Sequence, residues 1–389
     1  MRILCKLESD IMIIGLLGMG TIGSGVVEMA DALESVNLKT ILDIVIRRSN
    51  MTDKIEDIIN DPEIQLVVET IGGLHPAYEY AVQVIESGKH FVTANKYLVS
   101  VYGKDLYERA KKNGVAFLYS AACGGGIPYL ANLEIARTVD QIEALGGILN
   151  GTTNFILDSM QSSGMDYAAA LKEAQDLGYA ERDPSSDVDG LDTMRKLILA
   201  SSVGFNVYIA PEDIPTYGIS SVTSADIAYA KRNKMVLRLC ARAERTENGV
   251  SAYVEPTLVA ASAPESAILK NVNYAWYRGA NSGLMSYSGQ GAGKLPTASN
   301  VIRDVFAADA GKRYMTSESC ADTTPDNAGA VHNYYVRVEA GAAFPENWIE
   351  EKTTDGKFDY IRTAPVSVQD MHREMGANKS AFFAGIQKG

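Results

Sequence analysis

Hydrophobic and polar positions change period several times along the chain, and the changes mark its elements. Ile11–Leu17 is a short apolar run broken only by Gly15, which predicts a buried parallel strand. Just beyond it, Val26, Val27, Ala30 and Leu33 recur at the spacing of one helix face. Strand-like runs follow over Ile41–Ile46, Gln65–Glu69, His90–Thr93 and Ala116–Tyr119, with helical patterns over Pro76–Glu86 and Lys104–Lys112 between them. This alternation predicts an α/β fold built on a Rossmann-type, doubly wound parallel sheet. A second α/β set begins with a helix over Tyr129–Thr138. It continues with a strand over Ile142–Leu149 and helices over Phe155–Ser162 and Tyr167–Leu177. The helical pattern stops after Ala310, and polar Ser317–Gly329 reads as a linker. Beyond it, Val331–Ala340 alternates as a strand, and Pro345–Lys352 reads as a short helix. Strands over Phe358–Pro365 and Ser380–Ile386 flank a helix over Val368–Met375. Three regions result: residues 1–130, completed by 290–311; residues 131–289; and a small α+β region over 330–389.

The first strand and helix are joined by Gly18-Met19-Gly20-Thr21-Ile22-Gly23, in the context a dinucleotide fingerprint requires. Gly18 permits the tight turn, Gly20 lets backbone approach a pyrophosphate, and Gly23 lets helix and strand pack closely. The helix N-terminus then faces the negative charge. At the second strand an acid would bind a ribose 2′-hydroxyl, whereas arginine accommodates a 2′-phosphate. Asp43 is placed within the predicted strand and Arg47 at its end, which favours NADP with NAD as an alternative. Arg47 and Arg48 could equally be a solvated strand end. Thr70-Ile71-Gly72-Gly73 and Thr93-Ala94-Asn95-Lys96 fall at strand C-terminal ends, the edge where such sheets bind ligands. Lys96 is therefore a site candidate.

In the second half, Ala121–Pro128 is a glycine cluster that reads as a ligand or ion cradle or as a hinge. Asn150-Gly151-Thr152-Thr153-Asn154 offers backbone amides at a helix start, which suit a carboxylate. Ala174–Lys196 carries six acidic side chains, with Asp192 and Lys196 four residues apart on one helix face. A lysine beside a forming alkoxide can stabilise it or supply its proton, and Glu181, Asp187 and Asp192 can hold a substrate ammonium. Taken alone, the Asp192–Lys196 spacing reads as a surface pair contributing ~0.3–0.5 kcal/mol.

Composition narrows the partners. The net charge of -12 argues against a nucleic-acid backbone. Cys5, Cys123, Cys240 and Cys320 form no CxxC pair and read as free thiols of a reducing compartment. The four histidines lack metal-ligand spacing. MRILCKLESD lacks the features of a signal peptide. The apolar stretch Ile11–Gly20 is about half of the ~20 residues a membrane span needs. The expectation is a cytoplasmic protein with a small-molecule substrate and no membrane or nucleic-acid partner.

Several long motifs in one order resemble the homoserine dehydrogenase family. They are GLLGMGTIGSG at Gly15–Gly25, TANK at Thr93–Lys96, GILNGTTNFIL at Gly147–Leu157, the A-x3-G-Y-A-x2-D-P-x2-D-V-x-G-x-D-x3-K run at Ala174–Lys196, and GQGAGKLPT at Gly289–Thr297. The resemblance covers roughly Ile11–Gly311. It implies NAD(P)-linked interconversion of L-homoserine and L-aspartate 4-semialdehyde, a step towards threonine and methionine. It makes Lys96 and Lys196 the catalytic lysines. Asp192 and Glu181 would bind and orient substrate, supported by Asp187, with Gly151 and Thr152 meeting it through backbone. It assigns Gly18, Gly20, Thr21, Ile22, Gly23, Arg47 and Thr93 to the cofactor, with Gly291 and Ala292 closing over the nicotinamide side. It implies a homodimer or homotetramer formed through the 131–289 domain. Residues 330–389 resemble a shortened ACT region, able to hold an amino-acid effector or only to stabilise the oligomer. With no aspartokinase region ahead of the Rossmann half, the chain reads as monofunctional. In many relatives a glutamate before the glycine cluster helps hold a monovalent cation. Ser120 stands there in this chain, so a cation near Cys123 and Gly125 is doubtful. Two alternatives remain at this level: a reductase of another amino-acid aldehyde, and a non-catalytic NADP-binding sensor.

Overall fold

A computed structural model describes residues 11–316, 320–376 and 381–387. Cys5 and the rest of MRILCKLESD, residues 317–319 of the predicted linker, and Ser380 at the start of the last predicted strand lie outside them. The chain forms two compact units, Met1–Ile135 with Gln290–Ala321, and Ala136–Gly289 with Asp322–Gly389.

The first unit holds a parallel sheet of β1 (Met12–Leu17), β2 (Val36–Leu42), β3 (Met51–Thr52), β4 (Leu66–Glu69), β5 (His90–Thr93) and β6 (Phe117–Leu118), in the order β3-β2-β1-β4-β5-β6. Every pairing is parallel, and the central strands are buried almost throughout, as their apolar runs require. The order reverses between β1 and β4, so a crevice opens at the C-terminal ends of those two strands. The Thr21–Asp31 helix follows β1 directly, and the Lys96–Asn113 helix follows β5. The Lys294–Asp309 helix returns to this unit and packs on the first: a Cβ at Gly25 would lie 2.6 Å from the Lys294 carbonyl oxygen.

The second strand departs from expectation. Pairing with β1 runs from Met12↔Val36 to Leu17↔Leu42, so β2 ends before Asp43. The apolar Ile44-Val45-Ile46, which reads as strand on propensity, is loop, and Ile44 is 93% exposed. Sheet register selects the less apolar Val36–Leu42, and Asp43 and Arg47 both lie beyond the strand end.

The second unit carries a ten-stranded sheet. Its path runs through Gly283–Gln290, Val272–Gly279, Ile142–Ile148, Met235–Thr246, Gly249–Ala260, Phe382–Ile386, Val331–Glu339, Phe358–Thr363 and Ile349–Thr354, and the short tenth strand, Val366–Ser367, pairs with Val331–Glu339 off that path. The long hairpin of Met235–Thr246 and Gly249–Ala260 forms its middle. The last strand pairs with that hairpin through Thr257↔Gly385, so the C-terminal region extends the same sheet. The helix predicted over Pro345–Lys352 is not there. A 3-10 turn at Glu346–Trp348 leads into strand Ile349–Thr354, which pairs antiparallel with Phe358–Thr363. Asp355-Gly356 makes the hairpin turn, with Gly356 at φ +90, a Asp-Gly signal that the charged, exposed Glu350-Glu351-Lys352 obscured.

Candidate active site

In the first unit the glycine fingerprint sits where β1 meets its helix. Gly18 has φ +90 and donates its N–H to the Leu42 carbonyl at 2.8 Å. A Cβ at Gly23 would fall 2.0 Å from the Gly18 carbonyl oxygen, which is the close approach of strand and helix. A Cβ at Gly20 would meet nothing within 4 Å, so the turn is open on that side and fits a pyrophosphate. Thr21 and Ile22 open the helix, leaving their amides at its N-terminus. The Asp43 carboxylate accepts from Met19 N–H at 2.7 Å and Val45 N–H at 3.0 Å. Those backbone bonds, aided by nearby Arg47, hold its pKa below the ordinary carboxylate value. Arg47 itself is exposed.

The neighbouring strand ends are tied by a buried carboxylate that sequence reasoning passed over. Glu69 accepts from Ile71 N–H at 2.7 Å, Gly72 N–H at 3.1 Å and the Thr93 hydroxyl at 2.5 Å. Burial pushes its pKa up. Thr93 Oγ1 also accepts from Asn95 N–H. Asn95 caps the Lys96–Asn113 helix by accepting from Leu98 N–H, and donates its amide to the Gly73 carbonyl. Lys96 is thereby fixed as the first residue of that helix, at the ligand edge of the sheet, and is half-buried. The one sequence signal for Glu69 was a lone acid closing an otherwise apolar strand.

The glycine cluster lies in the same unit. The Ser120 N–H and hydroxyl both donate to the Asp304 carboxylate at 2.7 Å. Burial raises Asp304 to about 6, against the pull of the two Ser120 bonds. The Gly125 and Ile127 carbonyls accept from the Asn300 amide. Gly126 N–H donates to the Gln290 carbonyl, and a Cβ at Gly125 would lie 2.5 Å from the Gly291 carbonyl and 2.8 Å from Ala292 N. Cys123 is buried and forms no disulfide. Among the described residues no three His, Cys, Asp or Glu side chains are placed to hold a metal ion.

The second unit brings three predicted residues, Asp187, Asp192 and Lys196, together around Asn150, which the sequence offered only as the first of the Asn150–Asn154 stretch. This residue lies just beyond the Ile142–Ile148 strand and caps the Gly151–Ser163 helix. Its Oδ1 accepts from Thr153 N–H at 2.8 Å, and its Nδ2 donates to Asp187 at 2.7 Å and Asp192 at 2.9 Å. Lys196 Nζ donates to the same Asp192 oxygen at 2.7 Å and to the Leu149 carbonyl at 2.6 Å. Asn273 donates to that carbonyl as well. Asp192 and Lys196 are only 6% and 7% exposed, so the surface-pair reading of their spacing is overturned. The Leu191–Phe205 helix that carries both is buried along nearly its whole length, and Gly190 at φ +86 turns the chain into it. Thr152 is buried and donates its hydroxyl to the Tyr179 carbonyl at 2.6 Å, which ties the acidic segment to the helix start. A Cβ at Gly151 would lie 2.7 Å from the Asn271 carbonyl oxygen. Glu181 is exposed, and Gln175 holds its carbonyl at 3.1 Å. Lys196, Asp192, Asp187, Thr152 and Gly151 therefore share one unit, while Lys96 and the residues assigned to the cofactor belong to the other.

Comparison with known proteins matches both units. The family model described as homoserine dehydrogenase matches residues 128–306, and that of the homoserine dehydrogenase NAD-binding domain matches residues 18–120. A Synechocystis homoserine dehydrogenase is 41% identical over 312 residues, covering 75% of this chain and 72% of the relative. That of Bacillus subtilis is 39% identical over 311 residues, covering 76% and 72%. The crystal structure of a homoserine dehydrogenase from Thiobacillus denitrificans superposes with a TM-score of 0.86 at 29% identity, over 98% of this chain and 99% of that one. The chain belongs to the homoserine dehydrogenase family, NAD(P)-dependent oxidoreductases acting on a CH–OH group.

Proposed function

We propose that the chain interconverts L-homoserine and L-aspartate 4-semialdehyde, with Lys196 as the proton donor to the reacting oxygen. The observation that carries this is the buried Lys196 ammonium, held by Asp192 and the Leu149 carbonyl. Those two bonds use two of its three N–H groups and leave one for an oxygen on which charge develops. Asp192 holds the lysine ammonium in place and aims it. Asp187 and Glu181 attract the substrate ammonium, and the Gly151–Thr152 amides at the helix N-terminus receive its carboxylate. Lys96 is the second catalytic lysine. A bound nicotinamide cofactor supplies or takes up the hydride. The open turn at Gly20 and the Thr21, Ile22 and Gly23 amides at the helix start would hold its phosphates, with Gly18 shaping the turn; Gly291 and Ala292 would close over it, and Thr93, whose hydroxyl is taken by Glu69, would serve through its backbone. Exposed Arg47, beside an Asp43 whose two oxygens are already engaged by backbone amides, favours NADP over NAD.

The reaction serves amino-acid biosynthesis towards threonine and methionine in the cytoplasm. A homodimer or homotetramer fits the edge strand Gly283–Gln290, where Leu284 and Met285 are exposed. An amino-acid effector would find both charges it needs in a cavity of about 230 Å³ lined by Arg242, Glu255, Arg278 and His332; none of these belongs to the Asn150–Lys196 network. Among the described residues no helix is long and apolar enough to cross a membrane. The test is absorbance at the reduced-nicotinamide band with L-homoserine and NAD or NADP in parallel. Homoserine-dependent reduction, faster with NADP, supports the reading. No reduction by protein that binds a cofactor would sink it.

A further inference from the structure

The glycine cluster does not fit a monovalent cation in this chain, because a side chain already fills the role. Gly124 and Gly125, at φ +88 and +55, turn the backbone so that the Gly125 and Ile127 carbonyls converge. Both accept from Asn300 Nδ2, at 2.5 and 2.9 Å. The amide has two hydrogens, one for each carbonyl. Its orientation is set from the other end, where Asn300 Oδ1 accepts from Arg303 Nη1 at 3.0 Å. Asn300 is fully buried, so the amide cannot give way to an ion without leaving its own groups unpaired. The carboxylate that would balance a cation is missing at Ser120, and the acid that Ser120 contacts, Asp304, is engaged by its N–H and hydroxyl.

We infer that the Asn300 side-chain amide replaces a monovalent cation in this chain and holds the glycine cluster in its working shape without one. Asn300 and Asp304 are four residues apart on the Lys294–Asp309 helix and so share a face. One grips Gly125 and Ile127, the other Ser120, and the segment between them is clasped to the helix. That segment is pressed against Gly291 and Ala292, which this chain's proposed function gives to the cofactor. Asn300 is therefore a positioning residue for cofactor binding.

The test uses the full chain in KCl, NaCl or tetramethylammonium chloride at equal ionic strength, reading the melting temperature and NADPH affinity by fluorescence. The wild type should show the same melting temperature and affinity in all three salts. Asn300→Ala should melt lower in tetramethylammonium, bind NADPH about tenfold more weakly, as for one lost buried hydrogen-bonding site, and be restored in part by KCl or NaCl. Asn300→Asp, which points a carboxylate at two carbonyl oxygens, should be more salt-dependent still. A wild type that melts higher or binds NADPH more tightly in KCl or NaCl overturns the inference. So does an Asn300→Ala protein indistinguishable from wild type in tetramethylammonium. If neither variant folds, the wild-type salt series decides alone. No arm needs homoserine turnover, so failure here is separable from failure of the proposed reaction.

Discussion

Replacing Lys196 with methionine separates three readings of the Asp192–Lys196 pair. Methionine keeps the buried stem and removes only the ammonium. A solvated pair at this spacing contributes ~0.3–0.5 kcal/mol. A buried pair broken by loss of one partner costs about 3–5 kcal/mol, because the remaining charge is left without compensation. Both side chains are under a tenth exposed, 2.7 Å apart, which places the pair in the second class. Asp192 would still accept from Asn150 at 2.9 Å, so the loss should fall at the lower end, about 3 kcal/mol. The catalytic role adds a separate cost. Removing a charged donor from a developing oxyanion lowers kcat by about 10²–10³, and loss of proton transfer in the same step can extend this to about 10⁴. Urea unfolding gives the first quantity, and steady-state reduction of NADP by L-homoserine, per mole of folded protein, gives the second. NADPH affinity should hold, since the residues assigned to it belong to the other unit. A stability loss below about 1 kcal/mol would refute the buried pair. A lost 3 kcal/mol with unchanged kcat would leave the pair structural and remove Lys196 from the chemistry.

Arg47→Ala should weaken NADP binding far more than NAD binding, since only NADP carries the extra phosphate; equal loss by titration calorimetry would remove the basis for the preference. Gly151→Ala drives a Cβ to 2.7 Å from the Asn271 carbonyl oxygen. The resulting shift should cost about 1–3 kcal/mol in denaturant unfolding and raise KM for homoserine more than it lowers kcat. His90 gives a pH dependence. Its Nδ1 accepts from Ala116 N–H, and burial, with Arg313 nearby, lowers its pKa from 6.5. The unfolded chain therefore binds the proton first as pH falls, so stability is full above 6.5 and declines below it until the folded pKa is passed. His90→Asn, whose oxygen can accept the same N–H, should flatten that decline in melting temperature; an unchanged slope would show that another group causes it.

Local pattern carried most of the architecture. The apolar runs at Met12–Leu17 and Leu66–Glu69 and the glycine turn between strand and helix are short-range signals, and the parallel sheet followed from them. The errors came where partners far along the chain decide. Ile44–Ile46 has more strand propensity than Asn37–Thr40, yet pairing with β1 selects the latter and moves Asp43 to the strand end. Ile349–Thr354 is charged and exposed enough to pass for a helix, and only its antiparallel partner makes it a strand. The site was legible to the same degree. Asp192 and Lys196 could be placed on one helix face from their spacing, but burial could not, because it depends on how the Leu191–Phe205 helix meets a sheet built from distant strands. Glu69 and Asn300 act through bonds to residues 24 and 175 positions away, beyond any local pattern.

Three asparagines show why residue identity mattered where motif matching saw only small polar positions. Asn95 and Asn150 each begin a helix, and as caps alone either could be serine or aspartate at little cost. Each uses its oxygen for the cap and its amide for a second task, Asn95 on the Gly73 carbonyl and Asn150 on two carboxylates. Aspartate would keep the cap and lose the donors; at position 150 it would set a third negative charge against Asp187 and Asp192, and serine could not reach both. Asn300 divides its amide the same way, its oxygen on Arg303 and its nitrogen on two carbonyls. In each case one end of the amide fixes its orientation, so the other end presents donors in a single direction. That directional donation joins the Asp187–Asp192–Lys196 cluster to the helix that starts at Gly151, and it is why the cluster's geometry follows from the side chain between its acids as much as from the acids themselves.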